Sequence, residues 1–461
     1  MKQLSKILIL LLLTALIVIP PMLAGAVNLS LARSAQNPAE ASKYYEMAAK
    51  FLFWRSDLYE QAGLQAFADP PRAIQLLIKA RQKGSLHPNG QLSLGDAYLN
   101  SGETDQAISE WENLLNGKQE TGQISPRLAL VYHAQGQIPD ETRVLRQWLD
   151  FDKNNADASE RLGRILAAEA APEALPLLET AAAASPEAAS RLAGLIATLK
   201  TSQTQPAYGL TLCGQALARL DEWPLAEQAL LRAVEAQPEY APAWAWLGLA
   251  RQHNQSANAL EALERAIQLD GQSAPMHAML GTYWQQSGNA DKARTEFDIA
   301  TKLEATNPAW WLALAEAESQ SDLPAALTAY SQAIKLAPQD AGNWYALAAF
   351  CVENNVYLDD YGLNAALRAF ALQPDNPAYM DMLGRAQMGL EDWTAAEVIF
   401  KKALEAQSAS SGFIQHYHLG LLYLQTNRTS QAKFEFEQTA ALDPQGPYGG
   451  QAKKLLERYF K

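Results

Sequence analysis

The chain has 461 residues, of which 48% are hydrophobic and 19% are charged. This composition is typical of folded rather than disordered proteins. The length far exceeds the roughly 250–300 residues at which a single hydrophobic core stops growing, so it predicts several domains or a repeat array. The net charge of −13 at pH 7 would repel a phosphate backbone, and no run of Lys and Arg is longer than two. We therefore expect no nucleic acid partner.

The N-terminal segment is strongly apolar. Lys2 and Lys6 precede thirteen apolar or nearly apolar residues, 7–19. Residues 7–27 carry no charge and would measure about 31 Å as a helix, enough for a single-pass membrane anchor. The same features also fit a signal peptide that is cleaved near Ala26, which would release a secreted or periplasmic protein. Both interpretations keep the N-terminus on the cytoplasmic side and place the rest of the chain outside.

A pattern recurs along the chain with a period of 33–36 residues. Each copy combines a Leu-Gly or Leu-Ala pair with a bulky residue before it, followed by spaced alanines, a large residue and often a proline. The residues that carry the pattern most clearly are Trp244, Leu247, Gly248, Gly281, Trp311, Trp344, Gly384, Gly420, Pro238, Pro338 and Pro444. Weaker copies lie in the N-terminal half, and residues 38–54 look like half a copy.

This order of residues resembles the tetratricopeptide repeat, whose motif is W-x2-L-G-x2-Y…A-x3-F…P over 34 residues. About ten copies run from residue 38 to residue 445. The resemblance implies an all-α fold, a superhelical solenoid of helix-turn-helix units. The apolar N-terminal segment predicts one hydrophobic helix before it. The predicted organisation is an anchor or signal peptide at 1–30, a degenerate repeat segment at 31–200, an irregular loop or hinge at 201–206, a second repeat segment at 207–446 and a capping helix at 447–461.

Gly248 needs a physical reason, because a glycine inside a helix costs about 1 kcal/mol relative to alanine. In a repeat of two packed helices, the missing side chain lets the two backbones approach. We expect the small Ala259 opposite Gly248, and Ala293 opposite Gly281. The tryptophans of the motif are expected to pack between helices.

The sequence offers little for catalysis. It contains no phosphate-binding glycine loop, no H-E-x-x-H and no G-x-S-x-G motif. Its two cysteines, Cys213 and Cys351, form no metal or redox spacing. His416 and His418 are two residues apart and point in different directions from a helix, so they cannot share a metal ion. We expect no enzyme, no cofactor and no metal site.

The family resemblance implies a concave binding surface lined by positions near 2, 5, 9 and 12 of each first helix. In the C-terminal half these positions hold Leu249, Thr282, Leu312, Glu316, Tyr345, Asp381, Arg385, Tyr417 and Leu421. Further back they hold Leu92, Asp96, Arg164, Thr211 and Gln215. The clustered Lys and Asn of the chaperone-binding kind are absent, as is the asparagine ladder of the kind fused to sugar transferases. The mixed surface suits an amphipathic helix or an extended peptide.

Two functions are consistent with this sequence. The first is a non-catalytic scaffold that binds envelope or secreted proteins through its concave groove at the outer face of a membrane. The second is an accessory subunit of envelope polysaccharide or polymer assembly or secretion. Exposed aromatic side chains in the central repeats would favour saccharide contact, and their burial would argue against it.

Overall fold

The computed structural model describes residues 2–84, 86–117, 121–201, 206–406 and 411–460, with residues 2–17 and 121 described by their backbone only. The described residues are helical almost throughout and contain no β-strand. They divide into two compact units, Met1–Ala233 and Val234–Lys461. The all-α repeat architecture expected from the sequence is therefore confirmed. The predicted boundary at 201–206 does not coincide with this division, and residues 202–205 lie outside the described residues.

The first unit is a series of helices joined by short turns. They are α1 (Lys2–Ser34), α2 (Pro38–Phe51), α3 (Asp57–Leu64), α4 (Pro70–Gln82), α5 (Pro88–Asn100), α6 (Thr104–Asn116), α7 (Thr121–Ala134), α8 (Ile138–Phe151), α9 (Ala156–Ala168), α10 (Ala174–Ala182), α11 (Pro186–Thr201), α12 (Pro206–Arg219) and α13 (Trp223–Ala236), whose last residues pass into the second unit.

The second unit continues the same plan. Its helices are α14 (Ala241–His253), α15 (Ala259–Leu269), α16 (Ala274–Gln286), α17 (Ala290–Leu303), α18 (Pro308–Glu318), α19 (Leu323–Leu336), α20 (Ala341–Asn354), α21 (Leu363–Leu372), α22 (Pro377–Gly389), α23 (Trp393–Glu405), α24 (Phe413–Gln425), α25 (Thr429–Leu442) and α26 (Pro447–Tyr459). One π-helical turn, Leu358–Gly362, lies between α20 and α21.

Several of the described helices begin after an Asn or Asp cap, and in four of them proline follows directly. Asn307 and Asn376 each accept a hydrogen bond from the backbone N–H two residues later, at 3.1 and 3.0 Å. Such side chains satisfy N–H groups that have no partner in the first turn, and proline has no N–H to satisfy. The sequence therefore fixes where many helices of the array start.

The motif glycines make room for a large side chain of the second helix. A Cβ on Gly248 would lie 2.5 Å from Cγ of Leu263, and one on Gly281 would lie 2.7 Å from Phe297. Ala259 contributes only its carbonyl oxygen, at 3.0 Å from that Cβ position. Ala259 thus opposes Gly248 through its backbone, as expected, and the side chain of Leu263 fills the space beside it. The glycine accommodates the bulky residue, and the close approach of the two backbones follows from it.

The motif tryptophans are half-buried and also close turns. The indole N–H of Trp244 donates to the carbonyl of Pro238 at 2.8 Å, and that of Trp344 donates to the carbonyl of Pro338 at 2.9 Å. Trp311 makes the same bond to Ala305, at 2.9 Å. Each tryptophan thus joins the start of a first helix to the turn before it.

Helix α11 interrupts the pairing in the first unit. It contacts α10 before it and α12 after it, while α12 also packs directly on α9. Helix α12 pairs with α13, because a Cβ on Gly214 would lie 2.6 Å from Cγ of Leu230. Helix α11 is therefore an additional helix without a repeat partner, and the pairs on either side of it contact each other.

Helix α1 packs against the first pair through one face, where Gly25 lies against Leu52 and Leu29 contacts the core. In the part of the chain that the structure describes, no helix is both long and apolar enough to cross a membrane. The structure therefore does not support the predicted anchor. Residues 7–17, on which that prediction mainly depends, are described by backbone only.

Candidate functional site

The first helices of the second unit lie on its inner side. Helices α14 and α16 contact each other, as do α16 and α18, α20 and α22, and α22 and α24. No comparable contact joins successive second helices within the described ranges. Helices that approach each other this closely lie on the concave side of a curved stack. We call the solvent-facing side of α14, α16, α18, α20, α22 and α24 the inner face.

Tyrosines dominate the C-terminal end of the inner face. The rings of Tyr345 and Tyr379 lie 5.3 Å apart, and so do those of Tyr417 and Tyr448. The hydroxyl of Tyr417 donates to Oε1 of Gln451 at 2.8 Å. Burial raises the pKa values of Tyr345 and Tyr417, so both hydroxyls remain protonated donors at neutral pH. This end offers half-buried rings with polar tips, a type of surface common at protein interfaces.

Asp381 does not contribute to this open surface, contrary to the prediction. It is buried, and its Oδ1 lies 2.8 Å from Nδ1 of His418 on the next first helix. The His418 ring also stacks on Phe400, with the ring centroids 5.8 Å apart. The carboxylate therefore serves to join α22 to α24 and is not available to a ligand.

Arg385 lies one helical turn beyond Asp381 on α22 and is only half-buried. No ion pair or hydrogen bond of the Arg385 guanidinium occurs among the described residues, and the Asp381 carboxylate one turn away is bonded to His418. The positive charge of Arg385 acts on Tyr345, where it opposes the effect of burial on the tyrosine pKa. Arg385 and Tyr345 therefore present a cation and a hydroxyl donor to the same part of the inner face.

Glu316 on α18 provides a negative charge on the inner face, where Arg385 provides a positive one. Its side chain is exposed, yet desolvation raises the pKa of its carboxyl, and a hydrogen bond with Gln285 only partly opposes this effect. An accessible carboxylate with a raised pKa is expected in a concavity, where protein atoms replace part of the surrounding water. No basic residue pairs with Glu316 in the portion of the chain described.

The remaining predicted positions of this half are half-buried. They are Leu249, Thr282, Leu312 and Leu421. The Thr282 hydroxyl donates to the carbonyl of Ala278 at 2.9 Å, so its donor is already used within α16. These residues provide apolar contact area between the charged positions.

At the corresponding positions of the first unit, the side chains are ion-paired or buried. Asp96 accepts two hydrogen bonds from Arg127, at 2.7 and 3.0 Å. Arg164 donates to Glu222 at 2.8 Å and also contacts Glu160. Leu92 is buried. Asp96 and Arg164 therefore have charged partners within their own unit, and Leu92 is not accessible.

The last two predicted positions lie on α12. Thr211 is buried, and its hydroxyl donates to the carbonyl of Ala207 at 2.8 Å. Gln215 is half-buried. The hydroxyl that could have contacted a ligand is therefore used inside its own helix.

Three residues of the site were missed by sequence reasoning. Tyr379 and His418 lie at positions adjacent to those that line the surface in the family pattern. Tyr448 is the second residue of α26, which the sequence suggested only as a cap. Aligning α26 as a further first helix would have put Tyr448 at a groove position.

The two cysteines and two of the histidines are buried or paired. Burial raises the pKa values of the Cys213 and Cys351 thiols to about 11, which makes both poor nucleophiles. His277 and His416 are each paired with a glutamate, at 2.7 and 2.5 Å. Among the described residues, no group of three or more His, Cys, Asp or Glu side chains is placed to hold a metal ion.

Models of the tetratricopeptide repeat match four segments of the chain, residues 64–119, 213–274, 250–317 and 382–447. The repeat assignment is thereby confirmed over these segments, which lie in both units. Proteins with this fold are typical mediators of protein–protein interaction. No curated protein matches the chain.

Solved structures with helical repeats resemble the whole chain or part of it. Yeast Tom70 is 18% identical with a TM-score of 0.40, and the match covers 95% of each chain. A tetratricopeptide repeat protein from Parabacteroides merdae is 12% identical with a TM-score of 0.42, covering 55% of this chain and 98% of that one. YrrB, described as having an unusual peptide-binding site, is 17% identical with a TM-score of 0.32, covering 40% and 97%. At these values the likeness carries no functional argument.

Proposed function

We propose that the protein is a non-catalytic scaffold that binds a helical or extended segment of another protein on the inner face of its second unit. The observation that carries this proposal is that neither Arg385 nor Glu316 forms an ion pair with any residue that the structure describes. Partly desolvated charges gain most from a complementary group, because water no longer screens them fully. Tyr345, Tyr417 and Leu312 would supply the apolar contact area.

Arg385 and Glu316 favour one direction of the bound segment over the other. A partner segment with an acidic residue near Arg385 and a basic residue near Glu316 would satisfy both charges. The two residues lie on α18 and α22, two helix pairs apart. Binding should therefore depend on the order of charges in the segment, not only on its composition.

The tryptophans support a peptide ligand over a saccharide. In the repeats where open aromatic faces would favour saccharide contact, Trp244, Trp311 and Trp344 are half-buried, and their N–H groups are bonded to main-chain carbonyls. The tyrosines of the inner face are packed in pairs. A role in holding a polymer would therefore have to use another surface.

We further propose that the N-terminal apolar segment keeps the protein at the outer face of a membrane, with envelope or secreted proteins as partners. The support is the uncharged sequence from residue 7 to residue 32 after two lysines. The packing of Gly25 on Leu52 favours a retained segment over cleavage near Ala26, because cleavage there would remove Gly25. Fractionation and N-terminal sequencing of the native protein would test this part of the proposal separately.

The groove proposal can be tested with a photo-reactive amino acid. We would place it at Tyr345 in the full chain and, as a matched control, at Val398, an exposed residue of the second helix α23. Crosslinking to a defined partner or a selected peptide at position 345, but not at 398, is the expected result. It should be lost when Leu312 and Leu249 are replaced by Glu. Equal crosslinking at both positions, or no effect of the Glu substitutions, would overturn the groove.

A further inference from the structure

The fourth residue of several first helices in the second unit closes the turn before that helix. In α14, α18 and α20 this residue is Trp244, Trp311 or Trp344, and its N–H donates to the carbonyl oxygen six residues earlier. In α16 the fourth residue is His277, and its Nε2 lies 3.2 Å from the carbonyl oxygen of Gly271, also six residues earlier. Because a carbonyl oxygen only accepts, Nε2 carries a proton in this contact. His277 therefore takes the place of a tryptophan in one repeat.

The second ring nitrogen of His277 also faces an acceptor. Its Nδ1 lies 2.7 Å from Oε2 of Glu296 on α17. A neutral imidazole has one N–H, so it can donate to the carboxylate or to the carbonyl oxygen but not to both. The two contacts together require one additional proton, which the ring holds because histidine is a stronger base than glutamate. His277 is buried and the side chain of Glu296 is 19% exposed, so little water can replace a lost contact.

The sequence of the second unit contains this histidine–glutamate combination twice. Glu296 lies 19 residues after His277, and Glu435 lies 19 residues after His416, which is the fourth residue of α24. Nδ1 of His416 lies 2.5 Å from Oε2 of Glu435. In these helices of the second unit, a carboxylate follows at this spacing where the fourth residue is a histidine. Where the fourth residue is one of the three tryptophans, the residue at this spacing is uncharged: Leu263, Tyr330 or Leu363.

The charged groups on the elements around the pair have other positions or partners. On α17, Lys292 lies over the ring of Trp284, and Lys302 forms an ion pair with Asp298. Asp270, at the end of α15, accepts a hydrogen bond from a backbone N–H. No third charged group forms an ion pair with His277 or Glu296 among the described residues. The other charged groups of the elements that pack on α16 and α17 are Arg251 and His253 on α14, Glu261, Glu264 and Arg265 on α15, Asp291 and Arg294 on α17, Glu304 in the turn before α18, and Glu316 and Glu318 on α18.

We propose that His277 and Glu296 form a pH switch that holds α16 to α17 and to the turn before α16. Loss of the additional proton releases either Gly271 or Glu296, because the neutral imidazole keeps only one of its two bonds. The folded pair binds this proton through contacts that the unfolded chain lacks. The stabilisation is therefore present at low pH and is lost as the pH rises through the range in which histidines titrate, about pH 5–8. This inference is independent of the groove and of the membrane proposal.

The test measures backbone hydrogen exchange of the full chain at about pH 5.5 and about pH 8.5, on either side of histidine titration, with rates corrected for the intrinsic effect of pH. Residues 276–280 report on the switch, and residues 343–347 of α20, whose turn is closed by Trp344, are the internal control. The matched variant combines His277→Trp with Glu296→Leu, which reproduces the residues of α14 and α15. A second variant, Glu296→Gln, keeps both bonds without the additional proton, because its amide N–H can donate to Nδ1.

We expect the protection of residues 276–280 in the wild type to fall about tenfold or more at the higher pH, and to change by less than about twofold in both variants and at residues 343–347. Nitrogen-15 spectra of the imidazole, identified by the signal that is lost in the His277→Trp protein, should show two ring protons wherever residues 276–280 are protected. Protection that is independent of pH, or that falls equally in the matched variant, would overturn the inference. A ring with one proton while residues 276–280 remain protected would overturn it as well.

Discussion

The two units use the same helix positions in opposite ways. In the first unit, Asp96 and Arg164 form ion pairs with Arg127 and Glu222. In the second unit, Glu316 and Arg385 form no ion pair with any described residue. Charge balance accounts for Glu316 in this difference, though not for Arg385. Residues 1–233 contain 21 basic and 24 acidic side chains, and residues 234–461 contain 16 and 26. A nearly balanced unit can pair its charges internally, but a unit with a net charge of −10 leaves carboxylates available for partners.

A continuous network of ion pairs connects helices of the first unit. Arg161 bridges Glu141 at 2.5 Å and Glu222 at 2.7 Å, and Glu222 also holds Arg164. Burial would raise the pKa of Glu222, but these two arginines lower it. The carboxylate is therefore ionised at neutral pH, and it joins α9 to the turn before α13.

The largest effect is expected for Glu222→Ala. It leaves two partly buried guanidinium groups without their shared partner, which should lower the free energy of unfolding by about 3 kcal/mol. Denaturant titration measures this loss, and hydrogen exchange should show it in α9 and α12. The control is Glu179→Ala, which removes an exposed pair with Lys200 and should cost less than about 1 kcal/mol. Equal losses would contradict the claim that the network holds this unit together.

A second prediction concerns the packing that both units share. Gly248→Ala in the second unit and Gly163→Ala in the first should each cost about 1–3 kcal/mol, because the new methyl group overlaps Leu263 or Leu178. Gly194→Ala on α11 meets no atom within 4 Å and should instead stabilise by up to about 1 kcal/mol. Thermal unfolding of the three variants measures the contrast. Similar shifts at all three positions would refute the proposed glycine packing.

A third prediction separates binding from stability in the second unit. Arg385→Glu should weaken binding of a groove ligand at least tenfold, because it reverses the charge that the ligand faces. It should change the free energy of unfolding by no more than about 0.5 kcal/mol, since the guanidinium forms no ion pair or hydrogen bond with a described residue. Arg368→Glu, an exposed arginine on the second helix α21, is the charge-matched control. Calorimetric titration that gives the same affinity for both variants would exclude Arg385 from the site.

The smallest effect concerns a paired carboxylate of the second unit. Burial would raise the pKa of Glu397, but hydrogen bonds from Lys401, Arg428 and Tyr423 lower it to about 2 from an ordinary value of 4.5. Its stabilising contribution is therefore complete above pH 4.5 and is lost as the pH falls towards 2. Because Lys401 is exposed, the contribution should stay below about 1 kcal/mol. Glu397→Gln should flatten the dependence of Tm on pH in this range, and an unchanged slope would reject the assignment.

Sequence reasoning succeeded where the structure depends on local spacing. The helix pairs, the first-helix positions and the glycine sites follow from a motif whose residues all lie within a single repeat of about 34 residues. Sequence reasoning failed where a side chain is bonded to a residue of the next repeat. The Asp381–His418 pair joins residues 37 positions apart, and which of His418 and Arg385 takes the carboxylate depends on side-chain geometry. The same limit applies to Gly248, because spacing identifies a close contact but not which atoms make it.

Helix α11 shows how such an array can change during evolution. Because α12 packs directly on α9, the chain can leave the array for one helix and return without disturbing the order of the pairs. A segment in this position can lengthen, shorten or acquire new surface residues while the neighbouring pairs keep their contacts. The architecture therefore allows new functions to be added by insertion as well as by duplication of whole repeats.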